Sequence, residues 1–115
     1  MPGRTGKATP QGWCYVTSSK DEDFYYKTSA IRTGGVIKVW IKSTKEDNDT
    51  TISMELNEIN CQTYQSRSTQ AVEYALDGRV LDSYVNNRPM WRDPVPGSIG
   101  ETIVKRVCRN QPKTN

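Results

Sequence analysis

Cys14, Cys61 and Cys108 are the residues of this chain best suited to covalent chemistry, and their number and spacing limit what that chemistry is. An odd set cannot pair completely within one molecule. No two of them stand in a Cys-x-x-Cys arrangement and the chain has no histidine, so the residues offer neither a dithiol redox motif nor the usual nitrogen-containing zinc site. One disulfide with one thiol left over is favoured over three free thiols, and it places the chain in an oxidising compartment. A Cys61–Cys108 bridge is the preferred pairing because it would hold a marginal C-terminal helix on a sheet, and closing a loop of about 47 residues stabilises by roughly 3 to 4 kcal/mol on the chain-entropy argument. Cys14 bonded to either of the others is the alternative. The spare thiol is then a small buried apolar group or, if Cys14 is exposed, a link between two molecules.

Acid-base chemistry is thin. Without histidine there is no Ser-His-Asp or Cys-His arrangement. The carboxylates of Asp21-Glu22-Asp23 and Glu46-Asp47-Asn48-Asp49 fall in polar stretches where solvated charge is the ordinary explanation, and the second run lacks the spacing of an EF-hand loop. Gly3-Arg4-Thr5-Gly6-Lys7 has neither the glycine spacing of a phosphate loop nor a strand before it. These residues predict no catalysis, no metal and no cofactor. Asn48-Asp49-Thr50 matches an N-glycosylation sequon, with meaning only in a eukaryotic secretory setting.

Aromatic groups are more plentiful than one small core needs: Trp13, Tyr15, Tyr25, Tyr26, Trp40, Tyr64, Tyr84 and Trp91, interspersed with Lys27, Lys38, Lys42 and Arg92. Aromatic and cationic side chains together anchor contacts to proteins, glycans or exposed bases. Trp40 stands out because it falls on the lysine-bearing side of an alternating strand, so Trp40, Lys38 and Lys42 form the predicted protein-contact face.

The elements that must position these residues are short strands and one helix. With 115 residues, 34 % hydrophobic and 25 % charged, the chain suits one domain with a small two-layer core, the more so if covalently braced. A net charge of +3 spread along the sequence argues against nucleic acid as a partner. No stretch has the length and apolarity of a transmembrane helix. Residues 1–10 lack the apolar centre of a signal peptide, as would a mature domain cut from an exported precursor. Residues 1–12 and 111–115 read as a disordered linker and tail around a domain at 13–110.

Within that domain, Trp13 to Thr17 and Phe24 to Thr28 are predicted strands, separated by a polar turn over Ser18 to Asp23. Gly34-Gly35 marks a reversal. Val36 to Lys42 alternates most cleanly, with Ile37, Val39 and Ile41 against Lys38, Trp40 and Lys42. Thr50 to Leu56 alternates through Ile52, Met54 and Leu56, whereas Ile59 and Cys61 have the opposite parity. A bulge near Asn57-Glu58 is therefore expected, with the strand continuing through Cys61 to Arg67. Asp77-Gly78 predicts a two-residue type I′ hairpin between Gln70–Leu76 and Arg79–Val85. Ser98 as cap with Glu101 three residues on, then Ile99, Ile103 and Val107 at spacings of four, predicts an amphipathic helix after Pro96-Gly97. Such a helix is marginal alone. Six or seven antiparallel strands followed by one helix make an α+β fold.

Trp13, Tyr25-Tyr26 with Ser29-Ala30-Ile31, Val36 to Trp40, Cys61 with Arg67, and Tyr74 carry a resemblance to a known family. It extends through Gly78, Val80, Ser83 and Trp91, and above all through Val95-Pro96-Gly97-Ser98-Ile99-Gly100-Glu101 running to Val107-Cys108. Over about residues 13–108 the chain resembles the bacterial surface-adhesin protein E family. The resemblance implies a sheet of about six antiparallel strands with the C-terminal helix on its concave face, and a disulfide from helix to sheet at Cys61 and Cys108. It also implies an exported or envelope protein, at the periplasm or outer-membrane surface or secreted, its signal peptide removed. The member that gives the family its name binds matrix and serum proteins such as vitronectin and laminin, and dimerises. A non-enzymatic binding module contacting extracellular proteins is accordingly the expected function, with a structural envelope protein acting through self-association as the alternative.

Overall fold

The computed structural model describes residues 12–31, 33–45 and 51–110. The expected linker (apart from Gly12) and tail, the acidic run at 46–49 and the sequon at 48–50 lie outside the described residues. Six strands run in chain order: β1 (Cys14–Ser19), β2 (Glu22–Ile31), β3 (Val36–Lys45), β4 (Thr51–Asn60), β5 (Gln65–Ala75) and β6 (Val80–Val85). One α-helix among the described residues, α1 (Ile99–Asn110), follows. Every strand pairs antiparallel with its sequence neighbour, so the sheet is a six-stranded meander. One antiparallel sheet with a disulfide-linked C-terminal helix is the expected α+β architecture.

Period-two alternation sorts β3 as predicted: Ile37 and Val39 are buried and Ile41 packs beside them, on the face that α1 covers. Lys38, Trp40 and Lys42 point to the other face. The strands run longer than their apolar stretches suggest. Polar Ser18, Ser19, Glu22 and Asp23 pair across β1 and β2, leaving only Lys20 and Asp21 as the turn. Lys20 adopts φ 52° there, and the Ser18 hydroxyl donates to Asp23, so side-chain hydrogen bonding rather than burial closes this hairpin.

β4 corrects the parity argument. It runs unbroken against β3 from Thr51 to Asn60, and the extra residue lies in β5, between Ser68 opposite Asn57 and Gln70 opposite Leu56. That residue, Thr69, donates its hydroxyl to the Leu56 carbonyl at 3.1 Å. Met54 and Leu56 simply belong to the face away from α1, and Ile59 to the face beneath it. A central strand with apolar groups on both faces mimics a phase shift.

Cys61 is not on a strand either. Asn60 Oδ1 accepts the backbone N–H groups of Gln62 at 2.9 Å and Thr63 at 3.3 Å, and Tyr64 takes φ 58°. The stretch read as one continuing strand is thus a reversal between β4 and β5. The β5–β6 turn differs from expectation as well. Gly78 N–H donates to Ala75 C=O at 3.0 Å and Ala75 N–H to Arg79 C=O at 2.9 Å, while of the turn residues only Gly78 has positive φ, at 93°. This is a three-residue loop, because a type I′ turn needs positive φ at two positions.

Ser98 Oγ accepts the Glu101 N–H at 3.1 Å, and the Glu101 carboxylate reaches back to the Gly97 N–H at 2.9 Å. The cap is reciprocal, as predicted, but closes on the residue before Ser98. From there α1 inserts Ile103, Val104 and Val107 among Val16, Tyr26, Ile37, Val39 and Ile59. Each such burial is worth about 1.5 to 3 kcal/mol. Arg106 Nη1 donates to the Tyr15 carbonyl at 3.2 Å, tying the far end of α1 to β1.

Cys61 and Cys108 are bonded, with Cα atoms 5.4 Å apart and 47 residues of separation. Cys14 is free and exposed, which removes the alternative pairings. Gly35 positions the bridge: its carbonyl accepts the Cys61 N–H at 2.8 Å. At its φ of 80° a Cβ would lie 2.9 Å from Gln62 Cγ, so only glycine lets the β4–β5 turn approach this closely.

Candidate functional site

On the face away from α1, register sets the side chains in rows across the sheet. One row runs Tyr15, Tyr25, Lys42, Met54, Val72; the next runs Lys27, Trp40, Leu56, Gln70; a third runs Lys38, Glu58, Arg67. No second layer of backbone lies over them among the described residues, yet Tyr25, Leu56 and Glu58 are buried. Side chains on the same face contribute to their cover, Tyr15 against Tyr25 and Arg67 against Glu58. Tyr15 packs edge-on against Tyr25 with centroids 5.7 Å apart, and its hydroxyl is hydrogen-bonded to that of Ser18 at 2.6 Å.

The predicted contact residues share this face and are half-buried. Trp13, just before β1, brings two of the rows together: the ammonium groups of Lys42 and Lys27 lie 5.4 Å and 5.9 Å from its ring centroid. Each contact is worth about 0.5 to 1 kcal/mol at an exposed site. Trp13, Lys27, Thr28, Ser29, Trp40 and Met54 line a shallow depression of about 430 Å³. Trp40 and Lys42 thus belong to one cluster through Trp13. Lys38 stands two residues along β3, opposite Glu58, outside that depression.

The third row was not legible in the sequence. Glu58, whose side chain is 6 % exposed, accepts from Arg67 Nε at 2.6 Å and is ion-paired with Arg67 Nη2 at 2.6 Å. The guanidinium stacks over Trp91 with Cζ 4.4 Å from the ring centroid. Trp91 arrives there because Ser66 and Arg92 exchange backbone hydrogen bonds at 3.0 and 2.9 Å, which places residue 91 beside residue 67. The only sequence signal was the opposite charge of Glu58 and Arg67 flanking a turn, visible once the stretch is read as a hairpin.

This assembly can hold a partner by aromatic, cationic and apolar contact. Among the described residues no group of three or more Cys, Asp or Glu side chains could hold a metal ion, and no helix is long and apolar enough to cross a membrane. Comparison with known proteins gives one positive result. The surface-adhesin protein E family matches over residues 13–109, and no curated protein or solved structure matches the chain.

Proposed function

We propose, for a chain that belongs to the surface-adhesin protein E family, that the face opposite α1 is its protein-contact surface. Membership makes the chain a non-enzymatic, exported binding module that acts outside the cytoplasm. The observation that carries the site assignment is the Trp13 cluster, where two lysines are held over one exposed-side aromatic ring beside half-buried Trp40. Preorganised aromatic and cationic groups lose little entropy on binding and are typical hot-spot residues. The partner class is an extracellular matrix or serum protein presenting acidic and apolar groups, met at the outer-membrane surface, in the periplasm or after secretion.

The test is binding of the folded chain to immobilised laminin and vitronectin. Trp13→Ala, Trp40→Ala, Lys38→Glu and Lys42→Glu weaken binding while thermal unfolding shows a folded domain. Unchanged affinity in all four overturns the site assignment.

A second reading, self-association, is favoured by β6. All six of its residues are exposed, with Val80, Leu81, Tyr84 and Val85 among the exposed large apolar groups, and a bare apolar edge strand is a template for pairing with another copy. It ranks second because Asp82 Oδ1 accepts the Ser83 N–H at 2.9 Å, which occupies a donor that such pairing would use. Sedimentation over a range of concentrations tests it: a dimer lost on Leu81→Lys supports the reading, and a monomer throughout removes it.

A further inference from the structure

Across the face that α1 covers, the rows change character. Tyr26 and Ile41 give way to Glu55, Ala71 and Tyr84; Val39 gives way to Asn57 and Ser68; Ile37 and Ile59 give way to Ser66 and Arg92. The apolar groups of α1 sit over the first half, and beside the helix two cavities open side by side. One, of about 280 Å³, is walled by Phe24, Ile41, Ile59, Ile99 and Ile103. The other, of about 430 Å³, is rimmed by Tyr84, Asn86, Arg88, Met90 and Arg92. Asn57 and Ser66 line both, so they form one groove, apolar at one end and cationic at the other.

We propose that this groove binds a small amphipathic carboxylate of the fatty-acid class, with its acyl chain beside Ile99 and Ile103 and its carboxylate between Arg88 and Arg92. Charge sets the direction. Arg88 and Arg92 are exposed and have no carboxylate partner among the described residues, whereas Arg67, which also lines the groove, spends its guanidinium on Glu58 at the opposite face. Glu55 lies along the apolar end, accepting from Asn57 Nδ2 at 3.1 Å, and repels an anion placed there. Arginine pairs recognise carboxylates through charge-assisted hydrogen bonds, and small-ligand sites join an apolar wall to a few polar groups in this way. An added peptide strand is disfavoured because β4 and β5, which make the floor, are already paired on both edges. The site lies on the other side of the sheet from the Trp13 cluster and stands or falls independently of it.

The test is titration of the isotope-labelled full chain with sodium dodecanoate below its micellar concentration, followed by amide chemical shifts. Saturable shifts are expected at Asn57, Ser66, Ile99, Ile103 and Arg92. An Arg88→Ala, Arg92→Ala double variant, both changes at exposed positions, should weaken binding roughly tenfold, and 1-dodecanol should bind no better to the wild type than dodecanoate binds to that variant. Gly100→Phe plugs the apolar end: a Cβ at this helical position meets nothing closer than Ser98 Oγ at 3.6 Å, so the fold is retained while the shifts vanish. Absence of saturable shifts, equal shifts in folded Gly100→Phe, insensitivity to both arginines, or preference for a peptide carboxylate over dodecanoate would each overturn the proposal.

Discussion

The two faces of this sheet bury side chains by different means. Beneath α1, Ile37, Val39 and Ile59 are enclosed by a second backbone layer held by a cap, a disulfide and an arginine contact to β1. On the other face Tyr25, Leu56 and Glu58 are buried with no helix over them among the described residues. A covered face can concentrate stability because its apolar groups have no other task. The other face, where Trp13, Trp40, Trp91 and long cationic side chains lie among the described residues, is the one proposed to meet a partner, and side chains there can move without unfolding the domain.

Breaking the covered face should cost most. Removing the bridge with Cys61→Ala and Cys108→Ala is expected to destabilise by about 3 to 4 kcal/mol, read as a fall in the denaturant midpoint, with Cys14 unaffected because it is free. Ile103→Ala leaves a cavity between α1 and the sheet and should cost about 3 kcal/mol. Opening the face away from α1 should cost less. Arg67→Ala strips the buried Glu58 carboxylate of two contacts and exposes Trp91, for about 2 kcal/mol, with part of the loss recovered when Glu58→Gln is added. Ser98→Ala removes the helix cap for about 1 kcal/mol. The smallest effect lies outside both faces, at the β5–β6 loop. There the Arg79 backbone N–H, and then its guanidinium, hold the Asp77 carboxyl below its ordinary value of 3.8. The stabilisation is present above that value and is lost as pH falls through the lower folded value. Because the group is fully exposed, Asp77→Asn should flatten only the acid end of the stability profile, and only slightly.

Sequence patterns located part of what rests on local chemistry, though not the Asn60 turn or the three-residue form of the Asp77-Gly78 loop. The α1 cap follows from Ser98 and Glu101, the β3 faces from strict alternation, and the bridge from a marginal helix that needs bracing together with the family resemblance, which puts a disulfide at Cys61 and Cys108. What stayed hidden depends on pairing partners. The parity change at Leu56 and Ile59 looks like a phase shift until β4 is seen to run unbroken against β3 with apolar groups on both faces. Cys61 reads as strand until Asn60 is seen folding the next two amides back onto its side chain. The same applies to the candidate sites. Trp40 and Lys42 were visible on one strand, but the role of Trp13 in gathering Lys27 and Lys42 requires the β1–β2–β3 register. The groove beside α1 needs the helix placed before its open half can be recognised.

The most direct measurement compares variants of the two faces in one binding assay on immobilised laminin and vitronectin, each variant first confirmed folded by thermal unfolding. If the face opposite α1 is the contact surface, Trp13→Ala and Lys42→Glu lower affinity while Gly100→Phe on the covered side binds as the wild type does. Loss of binding in Gly100→Phe with Trp13→Ala and Lys42→Glu unchanged would contradict the account.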